Sequence, residues 1–423
     1  MSPRSIALII FILAYALFVL LPNRRTVIAL AGSLLLILTG VLSLSAAFLA
    51  VNWNVMGIFV GTLIIAEIFM QSRVPAAIAE MIVDRAKNTA WAILFICALA
   101  GFISAFVENV ATVLIVAPIA LALARKLKIN PVQMMIAIAI SSNLQGTATL
   151  IGDPPSMLLG GFAKMNFGDF FFYQHKPGIF FAVELGALTS FFVLYFIFRK
   201  HKEKTELLRV EKVRSWVPTF LLVALIVSLA VSSFFDKGFS YMAGLICVAF
   251  GLVALAWEKL VNKGSIIKGI KTLDWDTTFF LLGIFIIVGS ITSTGWIEAL
   301  AVFLAQIVGS NIFLGYTLLV FLSVAISAFV DNVPFLAAML PVAISMSDKL
   351  HMHPALFLFG LLIGASLGGN ITPIGASANI VSCGLLKKEG YTVSFKEFAK
   401  IGLPFTLVAV FTSYLFIWFI WSK

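Results

Sequence analysis

The chain has 423 residues, 61% of them hydrophobic and 11% charged, with a mean hydropathy of +1.08. That leaves too little polar surface to coat a soluble fold, so the composition describes a polytopic membrane protein and excludes a soluble enzyme. The net charge of +10 comes without a basic amphipathic patch or aromatic-basic module. It fits basic loops on one side of a bilayer better than a nucleic-acid partner.

In chain order, helices are expected at about 5–21, 26–49, 54–72, 131–163 and 178–198, with an amphipathic stretch near 75–86 and a hydrophobic hairpin at about 90–125. The first apolar run lacks the small-residue cleavage site of a signal peptide and reads as a retained helix. A basic linker, 199–215, follows. The plan then repeats with helices at about 216–234, 239–257, 276–294, 355–387 and 404–421 and a hairpin near 312–347. The expected organisation is therefore a first repeat over 1–198, the linker, and a second repeat over 216–423.

Five crossings per half is an odd number, so the second repeat enters the membrane from the opposite face. If both termini lie outside, the loops assigned to the inside carry 23 of the 29 Lys and Arg residues. Such a bias sets orientation in membrane proteins, and it points to a multi-pass protein of the cytoplasmic (inner) membrane. The fold class expected is an all-α polytopic membrane protein of two inverted five-helix repeats, each with a re-entrant helical hairpin and a broken transmembrane helix.

The repeat is visible in the residues themselves. SAFVENV at 104–110 returns as SAFVDNV at 327–333, and residues 104–156 align with 327–379 without a gap. The shift maps Pro118 onto Pro341, Pro131 onto Pro354, Gly146 onto Gly369, Thr149 onto Thr372 and Gly152 onto Gly375. Core packing would preserve hydrophobicity alone, whereas repeated acids, amides, prolines and glycines point to a two-fold site.

Glu108-Asn109 and Asp331-Asn332 interrupt apolar stretches and are expected at the two hairpin tips, meeting near the midplane. A charge at membrane depth costs about 2.5–3.5 kcal/mol even on a mild insertion scale, so each acid must face protein or water. Glu108 and Asp331, with Asp153, are candidates for carrying a coupling proton or sodium ion. The segments SSNLQGTATLIGDPP (141–155) and ASLGGNITPIGASAN (365–379) cannot sustain an unbroken helix. Gly146, Gly152, Pro154, Pro155, Gly369, Pro373 and Gly375 are the breaking positions. Unwound backbone is tolerated at membrane depth only where it is buried in protein or lines a cavity. There Asn109, Asn143, Thr147, Thr149, Asn332, Asn370, Thr372, Ser377 and Asn379 are candidate substrate ligands.

Cys97, Cys247 and Cys383 are isolated, and the four histidines form no HExxH. No metal, cofactor or catalytic residue is expected, and none of the phosphate-loop patterns of an ATPase is present.

FVENV, FVDNV, GTATLIGDPP and GGNITPIGASAN resemble the ion transporter superfamily, in its arsenical pump (ArsB), NhaD and P-protein branch of CitMHS-like permeases. The resemblance spans nearly the whole chain and implies alternating access between two inverted repeats. It also implies a substrate among arsenite or antimonite, sodium in exchange for protons, and citrate or other carboxylates. Dicarboxylate carriers of the superfamily resemble one another in Ser-Asn-Thr motifs, whereas this chain carries acids at the tips. Like-charge repulsion then disfavours an anion unless the acids are neutralised. The leading expectation is efflux of arsenite or antimonite driven by proton influx. Sodium/proton antiport or sodium-coupled anion uptake is the alternative, and a channel or membrane-embedded enzyme is a distant one. The lipid bilayer is the expected surrounding partner, a homodimer and a docking soluble ATPase are possible associations, and nucleic acid is not expected.

Overall fold

The computed structural model describes residues 2–203, 212–236, 238–261, 266–309 and 311–423. The middle of the expected linker, 204–211, lies outside the described residues. Helices dominate, and eight are long and apolar enough to cross a membrane among the described residues. Leu20, Leu38, Phe102, Phe234 and Phe419 are more than two-thirds exposed, whereas Asn143 and Asn370 are completely buried. That inversion of polarity is what hydrocarbon as a solvent selects. The protein is an integral multi-pass membrane protein.

The first half contains α1 (Pro3–Leu20), α2 (Arg25–Leu38), α3 (Leu44–Ala50), α4 (Trp53–Gln71) and α5 (Val74–Arg85). Its hairpin is α6 (Thr89–Ser104) and α7 (Asn109–Leu127), its broken helix is α8 (Val132–Gly146) and α9 (Pro154–Ala163), and α10 (Ile179–Phe198) closes it. The second half contains α11 (Val217–Ser232), α12 (Met242–Leu260), α13 (Ile266–Lys271), α14 (Trp275–Ser293) and α15 (Trp296–Val308). There follow the hairpin α16 (Ile312–Ser327) and α17 (Asn332–Lys349), the broken helix α18 (Pro354–Gly368) and α19 (Ser377–Lys388), and α20 (Phe395–Trp421). A two-stranded ribbon, Phe172–Tyr173 against Lys176–Pro177, precedes α10.

The helix-for-helix correspondence runs from α4/α14 through α10/α20, well beyond the aligned motif. Its local causes repeat too. Asn88 caps α6 through Trp91 N at 3.1 Å, and its counterpart Asn311 caps α16 through Leu314 N at 3.0 Å. Each side chain satisfies an amide left over at a helix start. Pro118 and Pro341 lie inside α7 and α17 at equivalent points, each deleting one hydrogen bond of the helical ladder. Two sequence expectations change. The helix read over 26–49 is divided at Thr39–Ser43, where Gly40 takes a left-handed φ of +73°. The last helix starts at Phe395 instead of 404, because Ser394 caps it through Glu397 N at 3.2 Å.

Small residues bring the helices together. Gly360, Gly364 and Gly368 form a stripe at four-residue spacing on α18 that lies against Tyr316, Val320 and Val324 of α16. Such stripes let membrane helices gain dispersion contacts that apolar side chains would block. In the same way α4 meets α12 at Gly61, where a Cβ would fall 2.3 Å from the Cys247 carbonyl carbon. The hairpins and broken helices pack on one another and on α10 and α20, while α2 pairs with α14 beside them.

Candidate functional site

The hairpin turns place Glu108 and Asp331 immediately before α7 and α17. Glu108 accepts a hydrogen bond from Ala111 N at 2.9 Å, and Asp331 accepts one from Val333 N at 3.0 Å. Each acid thus caps its own helix. The broken helices repeat a second arrangement. Thr149 donates to the Ala105 carbonyl and Thr372 to the Ala328 carbonyl, which ties each unwound segment to the turn of its own hairpin. Ser156 donates to Thr147 O at 3.2 Å, and its counterpart Asn379 donates to Gly369 O and Thr372 O, both at 2.9 Å.

Glycine is required where these segments cross. A Cβ on Gly152 would lie 2.3 Å from Gly146 O and 2.9 Å from Ser104 O, and one on Gly375 would meet Gly369 O at 2.6 Å. Gly152→Ala is expected to force the crossing apart and to cost about 1–3 kcal/mol, the usual cost of overpacking. A melting temperature in detergent equal to that of the parent protein would contradict this account of the break.

The two repeats join through amides. Asn109 donates to Asn143 Oδ1 at 3.0 Å, while Asn143 donates to Asn370 Oδ1 and to Ser366 O, both at 2.9 Å. Asn370 in turn donates to Ile140 O at 3.3 Å. Thr147 donates back to Asn143 O at 3.3 Å. These buried groups are satisfied by one another, as burial at this depth demands.

A cavity of about 20 Å³ opens beside this network. Of the residues read from the sequence, Glu108, Asn109, Pro154, Pro155, Asn332 and Ser377 line it. Asn143, Thr147, Thr149, Asn370, Thr372 and Asn379 do not: Asn143, Thr147 and Asn370 bond helix carbonyls and one another, while Thr149, Thr372 and Asn379 tie down the unwound segments. Asp331 flanks the cavity through its neighbours Asn332 and Val333, and Pro373 is half-buried away from the lining. Asp153 is fully buried, caps α9 through Ser156 N at 3.0 Å and leaves Oδ2 without a hydrogen-bond partner among the described residues.

Four half-helix N-termini face the cavity, those of α7, α9, α17 and α19. Three are capped by their own carboxylates, and α9 also begins with two prolines that have no amide hydrogen. The fourth, α19, has Ala376 at the capping position and makes no side-chain cap. The shift that equates the repeats equates Asp153 with Ala376 and Pro154 with Ser377. One repeat has therefore closed an N-terminus that the other leaves open.

Three further lining residues, Arg25, Asp274 and Thr277, come from outside the repeated motif. Arg25 forms an ion pair with Asp331, bonds Thr277 Oγ1 at 3.1 Å, lies 3.6 Å from Asp276 and stacks over Phe280 at 5.0 Å. Tyr15 of α1 donates to Pro334 O at 2.7 Å, so α1, α2 and α14 together brace the second hairpin. The charge bias counts Arg25 among the basic residues of the loops assigned to the inside, next to the helix expected from 26. The structure starts α2 at Arg25, where a cation opposes the helix dipole and its pairing with Asp331 compensates.

These elements, hairpin tips and broken helices around one small polar cavity, are parts from which membrane transporters are built. The citrate transporter family model (CitMHS) matches residues 15–346 and 243–423, in two overlapping stretches. The chain belongs to the CitMHS family. This places it in the ion transporter superfamily. A CitMHS chain of this length is 28% identical to an uncharacterized transporter of Mycobacterium tuberculosis over 424 residues, covering 98% of this chain and 97% of that one. It is 24% identical to the mouse P protein, covering 93% of this chain and 58% of that longer protein. In fold it is similar to the YdaH transporter of Alcanivorax borkumensis, described as having an unusual topology, with a TM-score of 0.63, 14% identity and 99% and 98% of the two chains covered. It is also similar to MtrF of Neisseria gonorrhoeae, with a TM-score of 0.58, 14% identity and 99% and 95% covered.

Proposed function

We propose that this CitMHS protein is a cation-coupled secondary transporter of a small oxygen-rich solute, a carboxylate or an inorganic oxyanion, bound at the open N-terminus of α19. The observation that carries the reading is the asymmetry of the four N-termini: three are occupied by Glu108, Asp153 and Asp331, and one is free beside Ser377 in a cavity that Arg25 also lines. Amide hydrogens at a helix start and a guanidinium are the groups that bind anionic oxygen. Glu108 and Asp331 then take the coupling proton or sodium ion, which removes the repulsion an anion would otherwise meet. The bias of basic residues toward the loops assigned to the inside supports an outside location for both termini in a cytoplasmic membrane.

Arsenite or antimonite efflux is the second reading. It is favoured by the small size of the cavity and by its carboxylates, Glu108 and Asp274, outnumbering its one guanidinium. A neutral trihydroxide meets no repulsion there.

Transport into proteoliposomes separates the two. With citrate, phosphate, arsenite and sodium offered in turn, with and without an imposed pH or sodium gradient, gradient-driven accumulation of an anion is expected. Movement of arsenite alone would replace the first reading by the second. Solute flux indifferent to every gradient would refute both.

A further inference from the structure

Glu184 is an intramembrane carboxylate that does not line the central cavity. Glu184 lies on α10 within an otherwise uncharged helix, IFFAVELGALTSFFVLYFIF, and is half-buried. By the reasoning applied to Glu108, a lone acid in such a span calls for a function. It has no counterpart in the second repeat, where the equivalent position is Leu407, so it stands apart from the duplicated machinery.

Glu184 faces a groove of about 590 Å³ between α6, α8, α10 and α20, a volume suited to a drug-sized ligand. Phe102, Phe106, Phe180 and Phe191 line it, and Glu184 is its only charged lining residue among the described residues. Gln145 donates to the Glu184 carboxylate at 3.2 Å. The reach of Gln145 is built in: a Cβ on Gly101 would stand 2.9 Å from Gln145 Cγ and block it. At the rim, Phe102 is 68% exposed and Leu188 is 59% exposed, so the groove opens sideways on the apolar surface of the protein.

We propose that this groove is a membrane-accessible binding site for an amphipathic organic cation, with Glu184 as its counter-ion. The argument is charge complementarity. The groove presents one anionic group and no cation among the described residues, and phenylalanines line it, a ring type whose face attracts a cation further when water is excluded. An anionic lipid headgroup would bring its phosphate against Glu184 with no cation to compensate. A bare acyl chain would leave the carboxylate with the neutral Gln145 amide and no counter-charge. The groove also touches Ala105 of the first hairpin turn and ends at Gln145, next to Gly146, so an occupant would rest against two parts of the transport machinery.

The test uses the purified full-length protein in nanodiscs and tetraphenylphosphonium as the probe, with triphenylphosphine oxide as its neutral counterpart. Saturable binding of the cation is expected, with at least tenfold weaker affinity in Glu184→Gln and little binding of the neutral compound. Ala187→Trp, which fills the groove and keeps the carboxylate, is expected to weaken binding equally. It also provides the decisive arm if Glu184→Gln does not fold. Cation affinity within twofold of the parent protein in folded Glu184→Gln, or in Ala187→Trp, would overturn the proposal. So would equally tight binding of triphenylphosphine oxide, which would mark the groove as a lipid or apolar-solute cleft.

Discussion

Arg25→Gln is expected to abolish coupled transport and to lower stability by about 2 kcal/mol or more. Removing one partner of a fully buried ion pair costs about 3–5 kcal/mol, because the other charge is left without compensation. Here the Arg25 and Asp331 side chains keep 18% and 25% of their exposure, which lets the cost fall below that range. Asp276 adds little, since its side chain is 63% exposed and solvent screens it. The double variant Arg25→Gln/Asp331→Asn removes both charges and is expected to recover most of the stability without recovering transport. Thermal unfolding in detergent and flux in proteoliposomes measure the two quantities separately. Equal stability losses in the single and double variants would show that Arg25 acts by packing on Phe280 instead of by pairing with Asp331.

Glu108→Gln is expected to leave the fold intact while eliminating gradient-driven accumulation. The Gln side-chain oxygen can still accept from Ala111 N, so the cap of α7 survives. What disappears is the capacity to take up and release a proton or to neutralise a bound cation. Exchange of labelled for unlabelled substrate needs no net movement of the coupling ion and should persist, whereas uphill uptake under a pH or sodium gradient should fall at least a hundredfold. Undiminished uphill uptake by Glu108→Gln would remove this carboxylate from the coupling mechanism. The same change at Asp331 also breaks the ion pair to Arg25, so Glu108 is the cleaner probe.

The two acids differ because their surroundings differ, although their sequences match. Asp331 has a guanidinium beside it, and Glu108 shares its cavity with Asp274. Two repeats of similar sequence sit in unequal electrostatic environments, set by helices outside the repeated motif. The same holds at the broken helices, where Asp153 closes one N-terminus and Ala376 leaves its twin open.

Much of the frame was legible from residues alone. The hairpin tips, the two breaks and the repeat register depend on residues whose backbone chemistry acts locally: prolines without an amide hydrogen, glycines where two backbones touch, and Asn, Asp and Glu capping the helix that follows. Local causes survive in any reading of the chain, and so Pro118 and Pro341, and Gly152 and Gly375, could be matched before their surroundings were known, whereas the shared caps Asn88 and Asn311 lie outside the aligned block and emerged with the structure. Assigning ligands was harder. Asn143, Thr149, Asn370 and Thr372 carry the polar groups expected of a binding site, yet each spends them on backbone and neighbouring amides. Polarity alone does not reveal whether a buried group faces a cavity or another polar group. Glu184 went unassigned although the rule that drew attention to Glu108 applied to it as well.

The sequence by itself determined that this is a membrane protein built from two inverted copies, with a hairpin and a broken helix in each, because hydropathy, charge bias and helix-breaking residues are properties of short stretches of chain. Only the tertiary structure decided which groups meet. Arg25 reaches Asp331 across 306 positions of sequence, and Asn143 reaches Asn370 across 227. No local spacing encodes such contacts. They arise because unpaired charges and amides in a low-dielectric interior must find partners wherever the packing of helices brings them.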